Sequence, residues 1–582
     1  MRRNPEHTNV IEPEERLSHL DAGPIPNQNR VRQNAEVPGS DVSDELLRED
    51  GQRADSWLHY NKGAEQIGSS PANRITPETI EDLTLEYTVD TVNGLGDCVA
   101  EGQEANPTIV PGDPPVIYLS QGKMHVNALN ARTGEGYWKF EYGIEEIDAS
   151  GVRNRGVAVW KDTAYVAFPD ETAVPPRLVA IDRYTGEQRW EVNLMTEEQR
   201  EFDAPLADRL FITQEPMVYD GTVFIGQSSD KAAWTYLLAF DAETGEQRWK
   251  WQVGKPDEWV GETWQFSSGA AWMTPTVDPT SGTVFFSTTN PDPMLNGVVR
   301  PGPNKHTQSI VALDAETGER KWSHQMLAHE LWDYDASNSP FVFDMEVDGE
   351  ERRVVAQAGK VGWLYVFDAE NGRLLERSAA FTRQDHWGEG FLNFPPAGED
   401  NQKEMWPSFN GAHEWLPESY SPQTGLYYTG SNDNVMTVAY DSEWEYDSSK
   451  NYADSFAIGG YIGYPDTADV ESRVAAIDPA TGDIEWTHTL EDVPTDSPAG
   501  HPFTGGTTAT AGGVVFHGSS GGHLVALDAT TGDRLWRADT GGRIAAQPVV
   551  WDDPEAGTQY VAVTSNSEQL HVYGLEAEPG DE

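Results

Sequence analysis

Two aspartates in the segment HELWDYDASN, Asp333 and Asp335, stand two residues apart. In extended backbone such residues point to one side and the residue between them, Tyr334, to the other, so the pair offers two carboxylates to one point. Hard cations that take six to eight oxygens are bound by such sets, and a carboxylate beside a metal is placed to act as a general base. An acidic chain also puts aspartates into solvated loops, so the spacing gains its weight from where it falls. It follows directly on ALDAETGERKW (312–322), one copy of a motif that recurs along the chain.

That motif, A-x-D-x-x-T-G-x-x-x-W, also appears as ALNARTGEGYW (128–138), AIDRYTGEQRW (180–190), AFDAETGEQRW (239–249), AIDPATGDIEW (476–486) and ALDATTGDRLW (526–536). VFDAENGRLLE (366–376) is a degenerate copy without the Trp. The reading for each copy is a strand ending in apolar residues, an Asp that accepts from the turn backbone, a Thr-Gly that closes the turn, and a following strand. The terminal Trp is large enough to dock on a neighbouring unit. The flanks GTVFI (221–225), GTVFF (282–286) and GVVF (513–516) are strand-like, which excludes a helical solenoid. Units of roughly fifty to seventy residues built of short strands suit four-stranded propeller blades.

The expected fold is therefore all-β, an eight-bladed β-propeller with tryptophan-docking repeats. Seven copies supply seven blades, and strand-like runs at 83–89 and 570–574 are expected to pair and complete the eighth, which removes the sheet edge. The domain reading is a polar, acidic and flexible extension over 1–50 with a short helix around 42–50, one propeller over 51–578, and an acidic tail over 579–582.

Acidic residues number 96 against 40 basic, a net charge of −56. Such a field repels nucleic acid and anionic membranes, so neither is expected as a partner. On a folded protein it also suits concentrated salt, which screens the self-repulsion. The single cysteine, Cys98, excludes an intrachain disulfide, a CxxCH haem site and a cysteine-based zinc site. No run approaches eighteen apolar residues, so no membrane span is expected. No apolar stretch follows the arginines of MRRNPEHTNV, which by sequence favours a cytoplasmic protein.

The opening WLHYNKGAEQIGSS (57–70), the repeats and the segments quoted below resemble the large subunits of quinoprotein alcohol dehydrogenases, over about 55–575. The resemblance implies an eight-bladed propeller holding pyrroloquinoline quinone near its axis, an alcohol-type substrate, a separate electron acceptor and work outside the cytoplasmic membrane. It implies cofactor contacts from Glu104 (GQEANPTIV), Arg155 (VRNRGVAVW), Thr213 (ITQEP), Ser228 (GQSSD), Trp272 (GAAWMTPTV) and Lys360 (AQAGKVGW). A guanidinium suits carboxylates, an indole face suits a flat ring, and a lysine suits quinone oxygens on which charge develops. Metal ligands are implied at Asn290 (STTNP), Asp333, Asp335 and Asp230, with Asp333 the catalytic base. Asp335 is the extra carboxylate that marks lanthanide-dependent members, calcium being the alternative ion.

Three positions depart from the family pattern. Ala149-Ser150 stands where many members have adjacent cysteines, Glu414 where they have asparagine, and Thr504 where they have tryptophan. These departures keep two other readings open, a non-catalytic repeat propeller serving as an interaction scaffold and an enzyme acting on a sugar or aldehyde. His517 and His523, in a glycine-rich strand turn, read as blade-edge residues.

Overall fold

The computed structural model describes residues 30–90, 104–121, 125–143, 154–168, 176–202, 210–229, 234–266, 269–384, 395–445, 458–465, 471–491, 505–567 and 569–576. Within them, eight sheets each contain four antiparallel strands joined in meander order. The repeat motif is the turn between the third and fourth strands. In the third copy, strand Tyr236–Asp241 pairs with Gln247–Gln252, and the register shifts at Ala239/Phe240 to let the turn in. Asp241 accepts from the amides of Glu243 (3.0 Å) and Thr244 (2.9 Å), as the sequence reading expects.

Each motif tryptophan that is followed by another copy docks on that next repeat, and Trp536 of the last copy meets Tyr573 of the terminal sheet. Trp249 donates from Nε1 to the carbonyl of Ala315 at 3.0 Å, and its ring lies on Gly318. Gly318 has φ 71°, and a Cβ there would fall 2.7 Å from the indole, so both the conformation and the contact require glycine. Trp138 on Gly186, Trp322 on Gly372 and Trp486 on Gly532 repeat the arrangement. Where the degenerate copy has Glu376, Gly482 lies instead against the backbone of Arg377 and Ser378.

The terminal strands close the structure as expected. Thr84–Asp90 pairs antiparallel with Gln569–Glu576, and Tyr87 and Val89 from that sheet cover Gly134 of the first copy. Residues 30–50, read from sequence as a flexible extension, are a correction. Arg30–Gln33 adds a strand to Gly136–Glu141, and Asp44–Glu49 is a helix capped by Ser43, with Leu47 buried. The helix stands where the sequence places one; the strand pairing has no sequence signal, because four residues with Val31 as their one apolar side chain show no periodicity.

Residues 57–70 cross the first strands of five sheets. Ile109, Val277, Val342, Tyr420 and Ala509 donate backbone hydrogen bonds to Trp57, Ala64, Glu65, Ile67 and Gly68 in turn. First strands line the axis of a propeller, so this segment plugs the channel. Its knot is Asp50, fully buried, which accepts from Lys62 Nζ (3.0 Å), Ser56 Oγ (2.7 Å) and the Gly63 amide (2.9 Å). Burial alone would raise the Asp50 pKa, but Lys62 and His59 bring it well below the carboxylate range.

Candidate active site

In a meander, the loop before the first strand and the loop after the second open on the same face, and the turn after the third opens on the other. Glu104, Arg155, Thr213, Trp272, Asp333 and Asp335 precede the first strands Thr108–Val110, Ala158–Trp160, Met217–Tyr219, Thr276–Asp278 and Phe341–Val347. Ser228, Asn290 and Lys360 follow the second strands Thr222–Gly226, Thr283–Ser287 and Glu350–Gln357. These nine residues therefore share one face, opposite the Thr-Gly turns. Asp230, Ser150 and Thr504 lie outside the described residues.

One half of the site is built on Arg155, which is 1% exposed. Its Nη2 lies 3.0 Å from Glu104 Oε2, and its Nη1 donates to Thr213 Oγ1. The guanidinium sits 4.9 Å from the ring centroid of Trp272 and 5.1 Å from that of Trp415, and the two indoles meet edge to face at 6.1 Å. The result is a cationic slot with aromatic walls. Burial raises the Glu104 carboxyl, with Arg155 opposing. Glu215 is buried against Gly156, where a Cβ would fall 1.9 Å from Oε2, and burial holds its carboxyl well above the ordinary range. Arg155 Nε, Ser228 Oγ and Trp272 Nε1 are buried donors with no hydrogen-bond partner among the described residues.

The other half is built on Lys360, which lies 2.8 Å from Asp335, 3.3 Å from Glu414 and 3.4 Å from Asp333. Burial alone would lower the Lys360 pKa; the three carboxylates raise it well above its usual value. Burial raises the Asp333 carboxyl well above the ordinary range, with Lys360 opposing, and raises Glu414 to about 8. The two halves abut, since adjacent residues Glu414 and Trp415 contact Lys360 and Arg155 respectively.

The extended-strand argument for Asp333 and Asp335 needs correction. Asp333 has φ 63°, a left-handed conformation, and Tyr334 is fully buried, donating to Pro407 O at 2.5 Å. The carboxylates nonetheless converge, through a turn and not through strand alternation. The Asn290 backbone donates to Asp335 Oδ1 at 2.9 Å. Its side-chain amide reaches Oδ1 of Asp335 at 3.0 Å and of Asp333 at 3.2 Å, donating to both with the NH2 turned inward. Turned the other way, three oxygens face one another with no proton between them, an arrangement that a hard cation satisfies. No group of three His, Cys, Asp or Glu side chains placed to hold a metal occurs among the described residues, so a cation at this set of two carboxylates and an amide would need a further ligand.

Asp333 also borders a cavity of about 100 Å³ walled by Met294, Leu295, Trp332, Phe409, Met436 and Ile462. Part of the wall is a three-stranded sheet in which Met436–Tyr440 and Gly460–Gly463, inserted between the second and third strands of one blade, are joined by Lys403–Met405 from before that blade's first strand. The sequence over 376–486 reads as one blade start at 411–433 plus long loops, because strands of three to five residues in Trp-, Pro- and Asp-rich sequence give no alternation to read. Sequence reasoning also passed over Trp415 and Glu215 as site residues, although both stand just before a first strand, as Glu104, Arg155, Thr213, Trp272 and Asp333 do.

A family model described as glucose/ethanol/alcohol dehydrogenase, β-propeller domain, matches residues 57–378, and one described as outer membrane protein assembly factor BamB matches residues 470–582. A quinohemoprotein alcohol dehydrogenase of Comamonas testosteroni is 30% identical over 575 residues, covering 92% of this chain and 76% of the relative. The quinoprotein alcohol dehydrogenase PedH of Pseudomonas putida is 27% identical, covering 90% of this chain and 88% of its own. The crystal structure of the quinohemoprotein alcohol dehydrogenase from Comamonas testosteroni superposes with a TM-score of 0.78 at 27% identity, covering 93% and 84% of the two chains.

Proposed function

Because this chain belongs to the family of pyrroloquinoline quinone-dependent alcohol dehydrogenases, we propose that it oxidises an alcohol with an apolar body, using Asp333 as the base. The observation that carries this reading is the position of Asp333, which belongs at once to the Asn290–Asp335 oxygen set and to the wall of the apolar cavity. An alcohol whose carbon chain enters that cavity presents its hydroxyl to the carboxylate. The apolar lining disfavours a sugar, whose hydroxyls would be left unpaired there.

The residues present fit the family's cofactors. Arg155, Ser228 and Trp272 hold buried donors without partners among the described residues, which suit a flat ligand rich in carboxylate and carbonyl oxygens. Arg155 and Thr213 would take its carboxylates, Trp272 its ring face and Lys360 its reactive oxygens, with Glu104 fixing Arg155. Asn290, Asp333 and Asp335, with Asp230, would hold a metal ion. When bound, the quinone supplies a two-electron acceptor and the metal a Lewis acid.

The chain's own residues then have defined tasks. Asp333, buried and with a raised pKa, accepts the hydroxyl proton as the carbon is oxidised. Lys360 supplies positive charge where negative charge develops, without reorganisation at the moment of reaction. The cavity keeps water from the carbon that reacts. The electrons would pass on to an acceptor other than the residues of this propeller, which hold no CxxCH motif. Asp335 would add negative charge around a bound ion, which would favour a trivalent lanthanide over Ca²⁺. The net charge of −56 is read as a surface suited to concentrated salt.

The test is dye-coupled oxidation of primary alcohols by the full chain in high salt, loaded with pyrroloquinoline quinone and either La³⁺ or Ca²⁺. Turnover that prefers La³⁺ and is lost in Asp335→Ala supports the reading. Quinone binding with no alcohol oxidation under either metal overturns it.

A further inference from the structure

A non-glycine residue in the left-handed region costs energy, so the loop around Asp333 must hold it there. Glu330 does so. Its Oε1 accepts from the amide of Trp332 at 2.5 Å and from that of Tyr334 at 3.0 Å, the residues on either side of Asp333. One carboxylate oxygen thus clamps both flanks of the aspartate. The Glu330 side chain is fully buried, and its Oε2 has no hydrogen-bond partner among the described residues.

The clamp is itself anchored. Arg300, fully buried, donates from Nη2 to the carbonyls of Glu330 (2.6 Å) and Met294 (2.9 Å), from Nε to Pro293 O (3.1 Å) and from Nη1 to Asn304 Oδ1 (2.8 Å). Met294 lines the cavity beside Asp333, so one guanidinium ties the cavity wall to the loop that carries the carboxylate. A buried carboxylate with one oxygen bare is an expensive way to cap two amides, since a neutral side chain would do it without burying a charge. Its position, bracketing a single residue, is what the arrangement has to offer.

We propose that Glu330 is a positioning residue, fixing the Asp333 carboxylate between the oxygen set and the apolar cavity. This rests on Asp333 being the base. Misplacing a reacting group by about 1 Å costs on the order of 10²-fold in rate.

The experiment compares Glu330→Ala, Glu330→Gln and Asp333→Asn with the unsubstituted holoenzyme. In Glu330→Ala, kcat should fall about 100-fold while KM and quinone affinity stay within about threefold. Glu330→Gln should recover to within about fivefold, because its amide oxygen can accept the same two bonds. Hydrogen exchange in peptides spanning 328–338 should accelerate at least about tenfold in the alanine variant and not in the glutamine variant. The proposal is overturned if Glu330→Ala keeps its kcat, if alanine and glutamine fall together, or if kcat, quinone affinity and melting temperature decline in parallel. An Asp333→Asn enzyme with full activity removes the base itself. An inactive Asp333→Asn beside an unimpaired Glu330→Ala removes only the clamp.

Discussion

Aspartates at the two ends of the sheets are held in opposite ways. At the Thr-Gly face, Asp241 is partly exposed, pairs with Arg248 at 2.8 Å and caps two turn amides, and the Arg248 bond brings its pKa down. At the site face, Asp333 is buried with a second carboxylate near it, and burial pushes its pKa up. The first arrangement satisfies every polar group locally and is repeated from blade to blade. The second leaves donors unpartnered, charges buried and one residue in a left-handed conformation. Groups in that condition add little to stability and have freedom to exchange protons and to take ligands.

Substitutions at the two faces should therefore separate activity from stability. The largest effect is expected for Asp333→Asn, which should lower kcat about 10³-fold and leave the melting temperature unchanged or higher, checked by dye-coupled assay and calorimetry on the same sample. Trp249→Ala is the converse: removing the indole docked on Gly318 should destabilise by about 3–5 kcal/mol in denaturant titration while folded protein keeps its kcat within about twofold. A drop in kcat with stability intact for Trp249→Ala would break the distinction.

Leu295→Ala tests the cavity. Enlarging it should move the preference toward longer alcohols by about tenfold in kcat/KM, measured across a series of primary alcohols.

The smallest effect concerns Glu418, fully buried and accepting from the Tyr427 hydroxyl. Burial raises its carboxyl to about 8 against an ordinary value of 4.5. Between these values the folded chain binds a proton that the unfolded chain has released. Its contribution is thus fully present below about pH 4.5 and is lost as pH rises through about 8. The wild-type melting temperature should fall relative to that of Glu418→Gln as pH is raised from about 5 to about 8. Parallel curves would show that the carboxyl is already ionised in the fold.

The scaffold was legible because each of its rules is local: Asp182, Asp241, Asp314 and Asp528 cap their own turns, and a glycine four residues before a tryptophan is read off one segment. The identities of the site residues were legible only through a multi-residue resemblance, since Glu104, Arg155 and Lys360 come from separate blades and no single window contains two of them. Their partners were not legible at all. That Glu414 meets Lys360, that Trp415 covers Arg155 and that Glu330 clamps Asp333 follow from backbone conformations and blade closure, which carry no periodic signature. Asp333 and Asp335 show the difference within one motif. Their convergence was anticipated, but the reason given, strand alternation, was replaced by a left-handed turn.

The central claim is that the slot around Arg155 is a quinone site. It is tested most directly by titrating pyrroloquinoline quinone into the metal-loaded chain and following tryptophan fluorescence, in wild type and in Arg155→Ala. The account predicts saturable one-to-one quenching in the wild type, through Trp272 and Trp415, and at least about a hundredfold weaker binding in the variant. Binding that is absent from the wild type, or equal in both proteins, would contradict it.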